Sequence, residues 1–163
     1  EKRLVELARQ ALTAKPDRSP ELAWGGHIIR AWGGLLIHAG NPAPADSFPE
    51  EVVVGEAASG VWGELRWEPA VAGPALKQGV RLQCTRSGEL DWLMPLNRPQ
   101  KPLKKWCQEL RIPPWWRPHL PVFTSQNQPV WLLPVGPLGP KTAVALDGSE
   151  GGLLPVWGLF NTI

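Results

Sequence analysis

The chain has 163 residues, 17 Lys and Arg against 15 Asp and Glu, and a net charge of +2; this length admits one ordinary domain or two small ones, not two large ones. Leu, Ile, Val and Phe fill 42 positions, about 26% and above the roughly 20% below which chains stay unfolded, whereas 17 Gly and 19 Pro disfavour long helices. No run reaches the roughly 20 apolar residues of a membrane helix. The two cysteines, Cys84 and Cys107, form neither a disulfide framework nor a zinc spacing, and they suit a reducing cytoplasm. Ten Trp beside three Phe and no Tyr inverts normal usage, so large flat rings have a role here.

Residues 1–15 place Leu4, Leu7, Ala8, Ala11 and Leu12 at spacings of three and four, the pattern of an amphipathic helix. Pro16 ends it. The helix begins without a cap, with no initiator Met or apolar leader before it, and we expect a piece of a longer polypeptide. After a polar connector the pattern changes to short apolar runs. Gly26–Arg30 and Gly34–His38 flank a link of Ala31, Trp32 and Gly33, which predicts a hairpin with a left-handed glycine. The triplet Trp-Gly-Gly occurs at 24–26 and again at 32–34, read as hairpin symmetry. Residues 41–51 form a Pro-rich loop.

Strand-length, β-branched or aromatic segments follow at 51–56, 61–67, 79–85 and 90–96. In the third, Val80, Leu82 and Cys84 alternate with Arg81, Gln83 and Thr85, as a sheet with one wet face requires. From Leu103 to Arg111 helical spacing returns, with Leu103, Trp106, Cys107 and Leu110 as the buried stripe and Lys104, Lys105 and Arg111 turned outward. Pro113 and Pro114 stop it and allow a short second helix. Strand-like runs at 130–135, 142–146 and 154–160 complete the chain. The total is about ten short strands and two or three helices, an α+β fold with a β-rich, sandwich-like core. A division into 1–21, 22–75 and 76–163 follows: a helix and connector from a preceding domain, a hairpin with linking strands, and a C-terminal α+β domain.

Catalytic signatures are missing. His27, His38 and His119 lie far apart without ligand spacing, both cysteines fall on apolar faces, and the Gly pairs lack the strand-loop-helix context and Lys-Ser/Thr of a phosphate cradle. The chain by itself reads as non-catalytic, with no metal site and no cofactor of its own. Its charge is uneven, however. Residues 98–117 carry Arg98, Lys101, Lys104, Lys105, Arg111 and Arg117 against Glu109, a net +5 that leaves −3 for the rest. Trp106, Trp115 and Trp116 interleave with these cations, and cations for phosphates with rings for bases are what RNA recognition uses. Trp106 is assigned to the core. Of the adjacent pair Trp115 and Trp116, one is expected inside and the other exposed, and the sequence leaves open which.

The run from Lys101 through Leu103-Lys104-Lys105, Gln108-Glu109, Ile112-Pro113-Pro114-Trp115 and Arg117, followed by Pro121-Val122-Phe123 and a strand through Trp131 to Gly136, resembles the C-terminal domain of bacterial tRNA(Ile)-lysidine synthase. The resemblance implies a cytoplasmic, ATP-dependent ligase that joins lysine to the wobble cytidine of an isoleucine tRNA with a CAU anticodon. Its ATP and Mg site would lie in an N-terminal domain, since the Ser-Gly-Gly-x-Asp-Ser loop does not occur in this chain. For this chain the resemblance implies a β-sandwich shared with a phenylalanyl-tRNA synthetase subunit, docking the tRNA acceptor stem; it leaves room for a homodimer through the parent protein. Lys101, Lys104, Lys105 and Arg117 match the family's basic positions. Pro102 stands where a second basic residue is common and Arg111 where a helix-ending Gly is usual, while Arg98 has no counterpart and rests on local charge. The RNA-binding candidates are therefore Arg98, Lys101, Lys104, Lys105, Arg111, Trp115 and Arg117. The alternative is a non-enzymatic β-sandwich interaction module that presents Pro113–Pro118 to a polypeptide.

Overall fold

A computed structural model describes residues 2–13, 19–32, 35–38, 48–60, 62–90, 92–93, 99–138, 145–147 and 151–158. Helix α1 (Lys2–Thr13) packs on a small antiparallel sheet of β1 (Glu21–Trp24), β2 (His27–Trp32) and β3 (Leu35–His38). Its apolar stripe is only partly covered: Leu7 is buried, whereas Leu12 is 80% exposed. The expected hairpin exists as β2 and β3, but β2 runs on through Ala31 and Trp32, and its turn at 33–34 lies outside the described residues. β1 is a strand the apolar pattern did not announce. It joins β2 through Gly25 and Gly26, whose φ values of 55° and 81° suit the positive-φ positions of a tight hairpin turn. Thus the first Trp-Gly-Gly triplet marks a hairpin turn.

Two five-stranded antiparallel sheets follow. One has the order β13-β12-β11-β8-β4 and the other β14-β7-β15-β6-β5. The first joins β4 (Glu51–Val53), β8 (Arg81–Arg86), β11 (Pro121–Ser125), β12 (Gln128–Leu132) and β13 (Gly136–Pro137). The second joins β5 (Ala58–Gly60), β6 (Gly63–Pro69), β7 (Pro74–Leu76), β14 (Ala145–Asp147) and β15 (Leu153–Trp157). Both sheets contribute to one core, which holds Val52, Leu82, Phe123 and Leu132 with Leu65, Leu76 and Trp157. Across it the Trp67 ring stacks on Phe123 with centroids 6.0 Å apart. Burial of Leu82 between exposed Arg81 and Gln83 shows the alternation read from β8. A mostly β architecture with two α-helices among the described residues is the α+β class expected.

β8 and β11 are neighbours in the sheet although 34 residues separate Arg86 from Pro121 in the chain. That excursion carries the 3-10 turn Ser87–Glu89, a two-strand ladder of β9 (Trp92–Leu93) and β10 (Lys101–Pro102), helix α2 (Leu103–Glu109) and a second 3-10 turn, Arg117–His119. Of the segment expected to be a strand over 90–96, Trp92–Leu93 forms β9, while 91 and 94–96 lie outside the described residues. Ser87 binds the excursion's two ends together. Fully buried, it donates from Oγ to the Arg117 carbonyl and accepts from the Leu120 N–H at 3.1 Å, while its own N–H donates to the Leu120 carbonyl at 3.0 Å.

Candidate nucleic-acid interface

α2 is anchored by Leu103, Trp106 and Cys107, all buried. Leu110, expected on the same stripe, is 41% exposed instead. The helix stops at Glu109, so Leu110 is its C-cap and the 3.6-residue phase no longer sets its direction. Arg111 then takes φ 53°, the left-handed position that glycine occupies freely at helix ends. Its side chain is exposed.

The outer face of α2 presents Lys104 and Lys105, both exposed. Lys101 sits at its foot. There its Nζ lies 2.6 Å from Glu109 Oε1 and 4.7 Å from the centroid of the Trp106 ring, so this cation is held in place and half-neutralised. Arg98 lies outside the described residues.

Trp115 and Arg117 occupy a different setting, against the small N-terminal sheet. The Trp115 ring meets Trp32 edge-on with centroids 6.3 Å apart, and the Arg30 guanidinium lies 5.1 Å from the Trp115 ring centroid. Arg117 reaches the Trp32 ring at 5.9 Å and donates from Nε to the Ile112 carbonyl at 3.3 Å. Cations and rings thus alternate in the order Arg30, Trp115, Trp32, Arg117, joining the small sheet to the segment after α2. Neither adjacent tryptophan is fully inside: both are half-buried, Trp116 meeting Trp157 edge-on at 5.9 Å while Trp115 serves this ladder. Arg30 and Trp32 were not singled out from the sequence; the repeated Trp-Gly-Gly was the signal that bore on them.

The remaining reactive groups are quiet. Burial pushes the Cys84 thiol up to about 12 and the Cys107 thiol up to about 11, which suits packing and not nucleophilic attack. His119 is held below the ordinary histidine range, first by burial and then by the Arg86 guanidinium, whose Nη1 lies 2.9 Å from His119 Nδ1. His27 and His38, eleven residues apart, meet on the hairpin with Nδ1 and Nε2 3.0 Å apart. Among the described residues no cluster of three or more His, Cys, Asp or Glu could hold a metal ion. No helix among them is long and apolar enough to cross a membrane.

Residues 80–137 match the family model described as the TilS substrate C-terminal domain. Over that segment the chain is similar to the C-terminal domain of this family. A tRNA(Ile)-lysidine synthase from Azoarcus sp. is 32% identical over 97 residues, covering 58% of this chain and 21% of the relative. The protein of that description from Nitrosomonas europaea is 30% identical over 145 residues, covering 82% and 31%, and that from Ralstonia nicotianae 30% over 174 residues, covering 96% and 37%. The chain therefore spans between a fifth and two fifths of the length of these relatives. The segment matched to the TilS domain holds α2, the Arg117–His119 turn and β8 to β13, whereas β4 to β7 and β15, which complete the common core, lie outside it.

Proposed function

We propose that this chain is the tRNA-docking C-terminal part of a tRNA(Ile)-lysidine synthase, whose parent enzyme ligates lysine to the wobble cytidine of an isoleucine tRNA at the expense of ATP. In this reading the two five-stranded sheets form the β-sandwich of the family, of the kind found in a phenylalanyl-tRNA synthetase subunit, and the domain grips the acceptor stem. The chain contributes no bond-making step. In this reading ATP and Mg are held by an N-terminal domain of the parent. A cytoplasmic location accompanies the reading.

The observation that carries it is the exposed pair Lys104 and Lys105 on a helix fixed from beneath by Trp106 and Cys107. A rigid cationic face can neutralise backbone phosphates of an A-form stem, where shape and charge do the recognising. Arg111, exposed just past the end of α2, adds a further cation, and Lys101, though paired with Glu109, lies at the foot of the helix. Trp115 and Arg117 act chiefly by fixing the small sheet against this segment, with their half-exposed surfaces available to RNA. The Pro113–Pro118 stretch is engaged internally through Trp115, Trp116 and Arg117, which weakens the polypeptide-docking alternative.

The test is charge reversal at both lysines, K104E with K105E, with tRNA affinity measured across a salt series. Each lysine that neutralises a phosphate contributes about 0.7–0.9 to the slope of log affinity on log salt. The expected double variant binds more weakly and with a flatter slope; unchanged affinity and slope would remove these lysines from the interface.

A further inference from the structure

At the C-terminal end of α2 lies a cavity of about 520 Å³ whose wall includes Leu110, Trp131, Leu133, Pro134, Leu154 and Trp157. Its size lies within the ~300–1,000 Å³ of small-ligand sites, which are mostly apolar with a few placed polar groups. Two charged residues, Arg111 and Glu68, join the lining. Two adjacent residues at the end of α2 mark the place. Leu110 is a large hydrophobe left 41% exposed beside the core, and Arg111 holds a left-handed backbone, φ 53°, that favours glycine.

We propose that this cavity receives one unpaired nucleobase of a bound RNA. The base lays its faces against the apolar wall, its phosphate meets the Arg111 guanidinium, and its exocyclic amino group donates to the Glu68 carboxylate. Each part matches a need of that ligand: apolar contact for the ring faces, a cation for the phosphate, and an acceptor for an amino group. The position is also close in the chain to the proposed docking face: Arg111 follows the last residue of α2, the helix that bears Lys104 and Lys105, by two positions. The carboxylate selects bases that carry an amino group, so adenine, cytosine and guanine are favoured over uracil. The proposal rests on the RNA-docking reading and deepens it, adding a pocket for an unpaired base to a face that grips a stem.

Two RNA hairpins with identical stems, one blunt and one ending in a single-stranded 3′ adenosine, test it by fluorescence anisotropy with the full chain. We expect the extension to tighten binding at least tenfold, and a uridine extension to tighten it less. Leu154→Trp, which fills the cavity, abolishes the gain and leaves blunt-hairpin affinity unchanged. Arg111→Gly, which keeps the left-handed backbone, lowers the ratio of extended to blunt affinity and guards against a folding defect in the first variant. Equal binding of the blunt and extended hairpins would overturn the pocket and leave stem docking intact, whereas no binding of either would overturn both. Quenching of tryptophan fluorescence by adenosine monophosphate alone, with no effect of the extension, would make the cavity a free-nucleotide site and overturn the proposal.

Discussion

Ser87→Ala removes one oxygen from the molecule and leaves two backbone groups without their partner. The Leu120 N–H donates to Ser87 Oγ at 3.1 Å, and the same hydroxyl donates to the Arg117 carbonyl. Ser87 and Leu120 are both fully buried, so water cannot readily replace the bond at the N–H; Arg117 is half-buried, and its carbonyl is more easily rescued. An orphaned buried group costs about 1–3 kcal/mol, so a total of about 2–4 kcal/mol is expected with the carbonyl counted at the low end. For a chain of this size each kcal/mol moves the melting temperature by about 2–4 °C, giving a fall of about 4–16 °C. Differential scanning calorimetry on the full chain reads this directly. A variant melting within about 1 °C of the wild type would show that the serine does not pin the second 3-10 turn, and that the setting of Arg117 has another origin.

Trp106→Ala should destabilise the fold by about 3–5 kcal/mol, because a buried large ring leaves a cavity; a variant as stable as wild type in urea but poor at RNA binding would assign the ring to the interface instead. His119 gives a pH dependence. Its proton affinity is lowered in the folded chain from the ordinary 6.5, so the unfolded state takes up the proton first. The stability associated with its neutral form is complete above pH 6.5 and is lost as pH falls through the lowered value. The melting temperature of His119→Gln should therefore fall less than wild type between pH 7.5 and 5, and parallel curves would contradict the assignment. Cys107 is fully buried with its thiol pushed up to about 11, so it should not react with Ellman's reagent at pH 8 until the chain is unfolded, while half-buried Cys84, pushed up to about 12, should react slowly; fast labelling of both thiols in the native protein would contradict this.

Local periodicity carried much of this fold. The alternation over 80–85 became β8, and the spacing of Leu103, Trp106 and Cys107 gave α2 its buried face, because both patterns are set within one element. What depended on where an element stops was harder to read. Leu110 satisfied the helical spacing but fell past the last helical residue, and β1 was hidden in a stretch that lacks clean alternation. Ser87 was invisible because its importance comes from contact with residues 30 and 33 positions away. In the candidate site, Lys104 and Lys105 were legible as the outward face of a short helix. The placing of Trp115 and Arg117 was not, since it depends on Arg30 and Trp32 in a sheet more than 80 residues earlier, and no local pattern encodes that meeting.

The central claim, that this chain docks tRNA through a cationic face, is tested most directly by binding to an isoleucine tRNA transcript and to an unrelated tRNA at two salt concentrations, read by fluorescence anisotropy. Binding that weakens steeply as salt rises is expected, and any preference for the isoleucine tRNA measures how much identity this chain reads. No binding to either tRNA at low salt would contradict it.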